Sequence, residues 1–135
     1  MNWNQRYAQE FKRTNYSGYL VNNKQSLLDT LKTSGIEPKH EKLIAEHITH
    51  KYPDKEKAPD ASSAEVYGYA HNEGVDALLM RVNGSTHRAD GTPYHVTLSV
   101  AGGHKPVESG PMLQQALENN THTPLKPFTI PVTSF

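Results

Sequence analysis

Two short triplets carry the residue types that proton transfer around a phosphate needs: His47-Ile48-Thr49 and His95-Val96-Thr97. In an extended strand, side chains two apart project to one face, so each triplet offers an imidazole beside a hydroxyl. Imidazole is the side chain whose ordinary pKa lies closest to neutrality. Two imidazoles on opposite sides of a phosphodiester suit in-line displacement: one takes a proton from the attacking oxygen and the other gives one to the leaving oxygen. The two threonine hydroxyls would hydrogen-bond the non-bridging oxygens as charge develops there. This chemistry requires no metal ion. Eight histidines in 135 residues lean the composition toward proton-transfer or metal chemistry.

The residues around the triplets extend the expected site. Tyr94, Val96, Leu98 and Val100 alternate with His95, Thr97 and Ser99. Packing the apolar set inward turns the polar set to a wetter face. Around the first triplet, His47, Thr49 and Lys51 share one face, while Ile48, His50 and Tyr52 share the other. Lys51 is therefore the expected cationic contact for phosphate, and His50 the expected packing residue. Tyr19, Tyr52, Tyr69 and Tyr94 are candidates for stacking on a base, with a half-buried strand tyrosine as the alternative. The expected catalytic set is His47, Thr49, His95 and Thr97, and the expected substrate contacts are Lys51, Tyr19, Tyr94 and Ser99. His40, His71, His87, His104 and His122 lack metalloprotease spacing. A zinc site from His47, His50 and His71, serving a metallohydrolase, is a competing reading. Gly102-Gly103-His104-Lys105 lacks the full phosphate-loop pattern and reads as a strand-ending turn.

Several elements must hold these residues in place. Residues 1–17 are polar with scattered aromatics and read as an extension or short helix. A strand follows over 18–21, then a helix with Leu27, Leu28 and Leu31 on one face, ending at Gly35. Residues 43–52 read as a strand carrying the first triplet, closed by Pro53. Residues 55–63 form a loop that could border a site. Strands over 64–70 and 75–82 join through Asn72-Glu73-Gly74, and a polar loop over 83–93 leads to the strand at 94–100. Met112, Leu113, Ala116 and Leu117 then place a helix over 109–118, with Pro111 tolerable in its first turn. Residues 128–132 read as an edge strand, because Pro131 is poorly accommodated in a sheet centre. The sum is one α+β domain over residues 1–135. The triplets belong to different halves of the chain, which hints at two facing lobes.

Fourteen basic and fourteen acidic residues cancel, so no long-range field gathers nucleic acid or anionic membrane, and phosphate recognition has to be local. There is no cysteine, which excludes disulfides, thiolate metal sites and a cysteine nucleophile. No apolar run reads as a signal peptide or a membrane span, which sets the expectation of a cytoplasmic protein. The sequons at Asn15, Asn83 and Asn119 then have no route to glycosylation.

The stretches Glu46-His47-Ile48-Thr49-His50 and Tyr94-His95-Val96-Thr97-Leu98-Ser99-Val100 resemble the motifs of the two-histidine (2H) phosphoesterases. This family includes 2′,3′-cyclic phosphodiesterases, RNA-ligase-type phosphodiesterase domains and phage enzymes that cleave cyclic oligonucleotide signals. The order of strand, helix, first motif, second motif and helix is also similar, over about residues 18–132. His50-Lys51-Tyr52 departs from the more apolar continuation of many members. The resemblance implies a bilobal α+β fold with largely antiparallel sheets and a groove lined by both motifs. It implies His47 and His95 as the acid/base pair, Thr49 and Thr97 as phosphate-binding hydroxyls, and no cofactor. The implied substrate is a small nucleotide or RNA end, with either a 2′,3′-cyclic phosphate or a 3′–5′ bond in a cyclic oligonucleotide. The implied roles are RNA processing or antagonism of cyclic-nucleotide immune signalling. A non-catalytic nucleotide-binding module is the alternative from another class, and no protein partner is expected.

Overall fold

Period-two alternation is the commonest pattern in the chain, and strands make up most of its regular structure. The computed structural model describes residues 15–135. Its elements are β1 (Ser17–Val21), α1 (Lys24–Thr33), β2 (Lys42–Leu43), β3 (His47–Lys51), β4 (Ser63–His71), β5 (Val75–Arg81), β6 (His95–Val100), a 3₁₀ turn (Pro106–Glu108), α2 (Ser109–Glu118) and β7 (Thr123–Ser134). The α+β class expected from the sequence is what is observed. Of the expected extension over 1–17, only residues 15–17 are described, and Ser17 already belongs to β1.

All strand pairs are antiparallel, in the order β2-β6-β3-β1-β7-β4-β5, and β5 pairs in turn with β6. Six strands therefore close into a barrel, with β2 as a short addition on β6. The strands that carry the two triplets are direct neighbours, meeting at Ile48↔Val96.

Alternation then divides the side chains between two cores. Tyr19, Ile48, Val66, Leu78, Met80, Val96, Leu98, Ile130 and Val132 pack together inside the barrel, joined by Leu27 and Leu31 of α1. Asn23 Oδ1 starts α1 by accepting from Ser26 N–H at 3.0 Å. Ala77 and Leu79 face the other way and pack against Met112, Leu113 and Ala116 of α2, and Val100, expected inward with Val96 and Leu98, belongs to this second cluster at the end of β6. Each fully buried Leu or Met here stabilises the fold by about 1.5–3 kcal/mol. His95 and Thr97, alternate to Val96 and Leu98, thus lie on the outer face of the barrel, on the side where α2 docks.

Three elements differ from their sequence expectations. The strand expected over 43–52 is broken, because Ala45 takes a left-handed conformation (φ 50). Its N–H donates to the Thr97 carbonyl at 2.8 Å, while the next paired residue is Ile48, opposite Val96. Glu46 and His47 are extra residues on that side of the ladder, a bulge of the kind that re-aims side chains. The strand near the C-terminus is longer than expected and not an edge strand by order, since β7 lies between β1 and β4. Its prolines are accommodated because residues 123–131 pair with β4 alone, and pairing with β1 begins at Val132. Residues 83–93 are also more ordered than a plain polar loop, with bridges Val82↔Ser85 and His87↔Pro93.

No helix among the described residues is long and apolar enough to cross a membrane.

Candidate active site

His47, Thr49, His95 and Thr97 all line one cavity of about 850 Å³ on the outer face of the barrel. Antiparallel pairing at Ile48↔Val96 sets their pattern. It puts Thr49 on the His95 side and His47 on the Thr97 side, so imidazoles and hydroxyls alternate and the two rings stand diagonally. Gly18 lets this wall form. A Cβ there would lie 2.2 Å from the Ile48 carbonyl oxygen, so only glycine permits β1 to approach β3 this closely.

Each ring is held by its surroundings. His95 Nδ1 lies 2.8 Å from the Pro93 carbonyl oxygen. A carbonyl only accepts, so Nδ1 carries the proton and Nε2 is the nitrogen open to chemistry. Gly110 and Thr92 meet close to this ring, and a Cβ on Gly110 would come 3.2 Å from Thr92 Cγ2 and 4.0 Å from His95 Cε1. His47 is packed by aromatic rings, with centroids 5.6 Å from Tyr16 and 6.4 Å from Phe135. The Thr97 hydroxyl lies 2.8 Å from that of Ser109, which is fully buried at the start of α2.

The electrostatics follow from this packing. Burial, and then the neighbouring His95, push the His47 pKa down to about 4. His95 is also pushed below the usual histidine value, chiefly by burial and further by Arg88, against the opposing effect of its Pro93 carbonyl bond. Both rings are therefore neutral at pH 7.

The expected substrate contacts fare differently from the catalytic set. Tyr19 is fully buried and donates its hydroxyl to the Pro59 carbonyl at 2.9 Å, which leaves no face for a base. Tyr94 is 5% exposed, and its hydroxyl sits 2.7 Å from His50 Nδ1. His50 is indeed turned to the packing side, its ring against Tyr19 and Tyr94. Ser99 is fully buried and donates to Asp76 Oδ1 at 2.5 Å. The face it shares with His95 is not wet at that point, because Asp76 of β5 and the backbone N–H groups of Lys39 and His40 cover it. Lys51 is exposed and does not line the cavity. The β1–β3 ladder shifts register between Ser17↔Lys51 and Gly18↔Thr49, and this second irregularity breaks the alternation that Lys51 would need.

Among the described residues, the fixed positive charge of the lining comes from Arg88 instead. Its source, the 83–93 segment, has no periodicity, so the only available signal was an arginine a few residues before the second triplet. Tyr16 and Tyr52 also line the cavity, with ring centroids 6.4 Å apart, and Tyr52 is 69% exposed. The loop over 55–63 does not border the cavity. Its Ala58 is buried and donates its N–H to the Phe135 carbonyl.

Among the described residues, no group of three or more His, Asp or Glu side chains is placed to hold a metal ion. His47 and His50 face opposite sides of β3, which separates two members of the competing zinc set. The chain matches no family model, no curated protein and no solved structure.

Proposed function

We propose that the cavity is the active site of a metal-independent phosphodiesterase acting on a nucleotide phosphodiester. The observation that carries this reading is that two imidazoles and two hydroxyls, from separate parts of the chain, line one cavity in alternation. His47, neutral among aromatic rings, takes the proton from an attacking water as its oxygen bonds to phosphorus. His95, whose imidazolium is favoured by the Pro93 carbonyl and by the charge of a bound phosphate, gives its Nε2 proton to the leaving oxygen as the P–O bond breaks. Thr49 and Thr97 donate to the non-bridging oxygens. The exposed Tyr52 ring offers a face for a base.

Kinship with the two-histidine phosphoesterases, and with it a bilobal groove, belongs to this proposal. Its support is the motif pair and the order of elements around it. Neutral net charge favours a small nucleotide over long RNA as substrate.

The test is a panel of 2′,3′-cyclic mononucleotides and cyclic di- and trinucleotides incubated with the protein in EDTA, with products separated by chromatography. Turnover of at least one is expected, with His47→Ala and His95→Ala each lowering kcat by about 10²–10⁴-fold. No turnover of any member overturns the reading. Activity that disappears with chelator replaces it with a metallohydrolase.

A further inference from the structure

Arg88 begins a tight turn that is tied to the second triplet. Its N–H donates to the Thr92 carbonyl at 2.8 Å, and the Gly91 N–H returns to the Arg88 carbonyl at 3.0 Å. Gly91 has φ 88, a left-handed conformation that favours glycine. The turn runs directly into Pro93, the residue whose carbonyl orients His95. The location of the guanidinium is thus coupled through a few bonds to that of the imidazole.

The side chain is only 15% exposed, although it lines a cavity open to solvent. Among the described residues its carboxylate partner is Asp90, met through Nε at 3.3 Å and one Nη at 2.9 Å. That pairing uses one edge of the guanidinium and leaves the other Nη group with donors to spare. Burial pulls the Asp90 carboxyl upward, yet the Thr92 N–H and the Arg88 guanidinium outweigh it and hold the group below the usual range. Asp90 is therefore a charged, pre-set partner. Of the side chains described as lining the cavity, Arg88 alone carries a fixed positive charge, and Glu46 and Asp90 are the negative ones.

A partly desolvated guanidinium with free donors, beside two imidazoles and two hydroxyls, is configured for a planar or tetrahedral oxyanion. We infer that Arg88 is the group that grips the substrate phosphate, and that Asp90 holds its fork in position and competes with an incoming anion. The identity of the molecule that carries the phosphate rests on the phosphodiesterase reading. The anion site itself does not.

The experiment is a titration of the full chain with inorganic phosphate, followed by NMR at the ring protons of His47 and His95. Arg88→Gln is expected to weaken phosphate binding by at least about tenfold. Asp90→Asn keeps an acceptor for the Thr92 N–H but removes the competing charge, so it should tighten binding by about threefold or more. Lys51→Gln should leave it within about twofold. The opposite signs at Arg88 and Asp90 exclude a general folding defect as the cause. Phosphate affinity unchanged in Arg88→Gln, or weakened in Asp90→Asn, overturns the inference. Because inorganic phosphate is not a diester, an inactive substrate panel would leave this result standing, and intact turnover in Arg88→Gln would count against the grip alone.

Discussion

Tyr16 and Phe135 pack the His47 ring into a place where a charge is unwelcome, and this links the site to stability. Its folded pKa of about 4 lies below the ordinary value of 6.5. Below that ordinary value the unfolded chain binds a proton that the folded chain rejects, so stability is lost as pH falls from 6.5 toward 4 and then levels off. Between pH 7 and pH 4.5 the loss attributable to His47 is roughly 2–3 kcal/mol. Urea denaturation at the two pH values should show this as a steeper decline in the parent than in His47→Gln. Equal declines would mean the ring is protonated in place.

The same residues show what alternation can reveal. His47, Thr49, His95 and Thr97 were legible because a period of two fixes which side chains share a face, whatever the strand's neighbours. The substrate contacts were not, because they depend on what covers each face. Ser99 shares a face with His95 yet lies under Asp76 and the His40 backbone. Lys51 follows Thr49 by two but comes after a shift of register. Arg88 enters from a turn whose path no local pattern specifies.

Among the elements, β1 makes no direct chemical contribution but sets the wall on which His47 and Thr49 stand. Gly18→Ala would drive a methyl group into the Ile48 carbonyl oxygen, which lies 2.2 Å from the required position. The expected cost is about 1–3 kcal/mol in urea denaturation. Because β3 must move to relieve the clash, kcat/KM should fall by about tenfold or more in protein that is still folded. A loss of stability with undisturbed kinetics would show that β3 is positioned by β6 instead. Strands and helices were themselves largely readable: the 64–70 and 75–82 hairpin, the 94–100 strand and the 109–118 helix all lie within a residue or so of the observed elements. The break at Ala45 was not, since nothing in Leu43-Ile44-Ala45-Glu46 marks a left-handed alanine; tertiary pairing with Thr97 imposes it.

For the whole molecule, the feature least visible in the sequence was closure. Adjacent-strand pairing such as β4 with β5 follows from a short turn, but β3 with β6 and β1 with β7 join segments far apart in sequence, and closure depends on them. Among the described residues, closure leaves one stretch paired on a single side: residues 123–131 of β7 have β4 on one side and no β1 residue paired on the other. There Pro131, whose carbonyl accepts from Asn22 N–H on the β1 side, has no N–H to offer on that same side, and Pro127 stands in the same stretch. A second chain arriving at this margin meets missing donors instead of a ladder. Replacing Pro131 with threonine would supply that donor, and sedimentation at rising concentration should show more self-association than in the parent; no difference would mean the margin is blocked by other means. The prolines that make β7 a poor sheet former thus also strip donors from a margin where a further strand could pair.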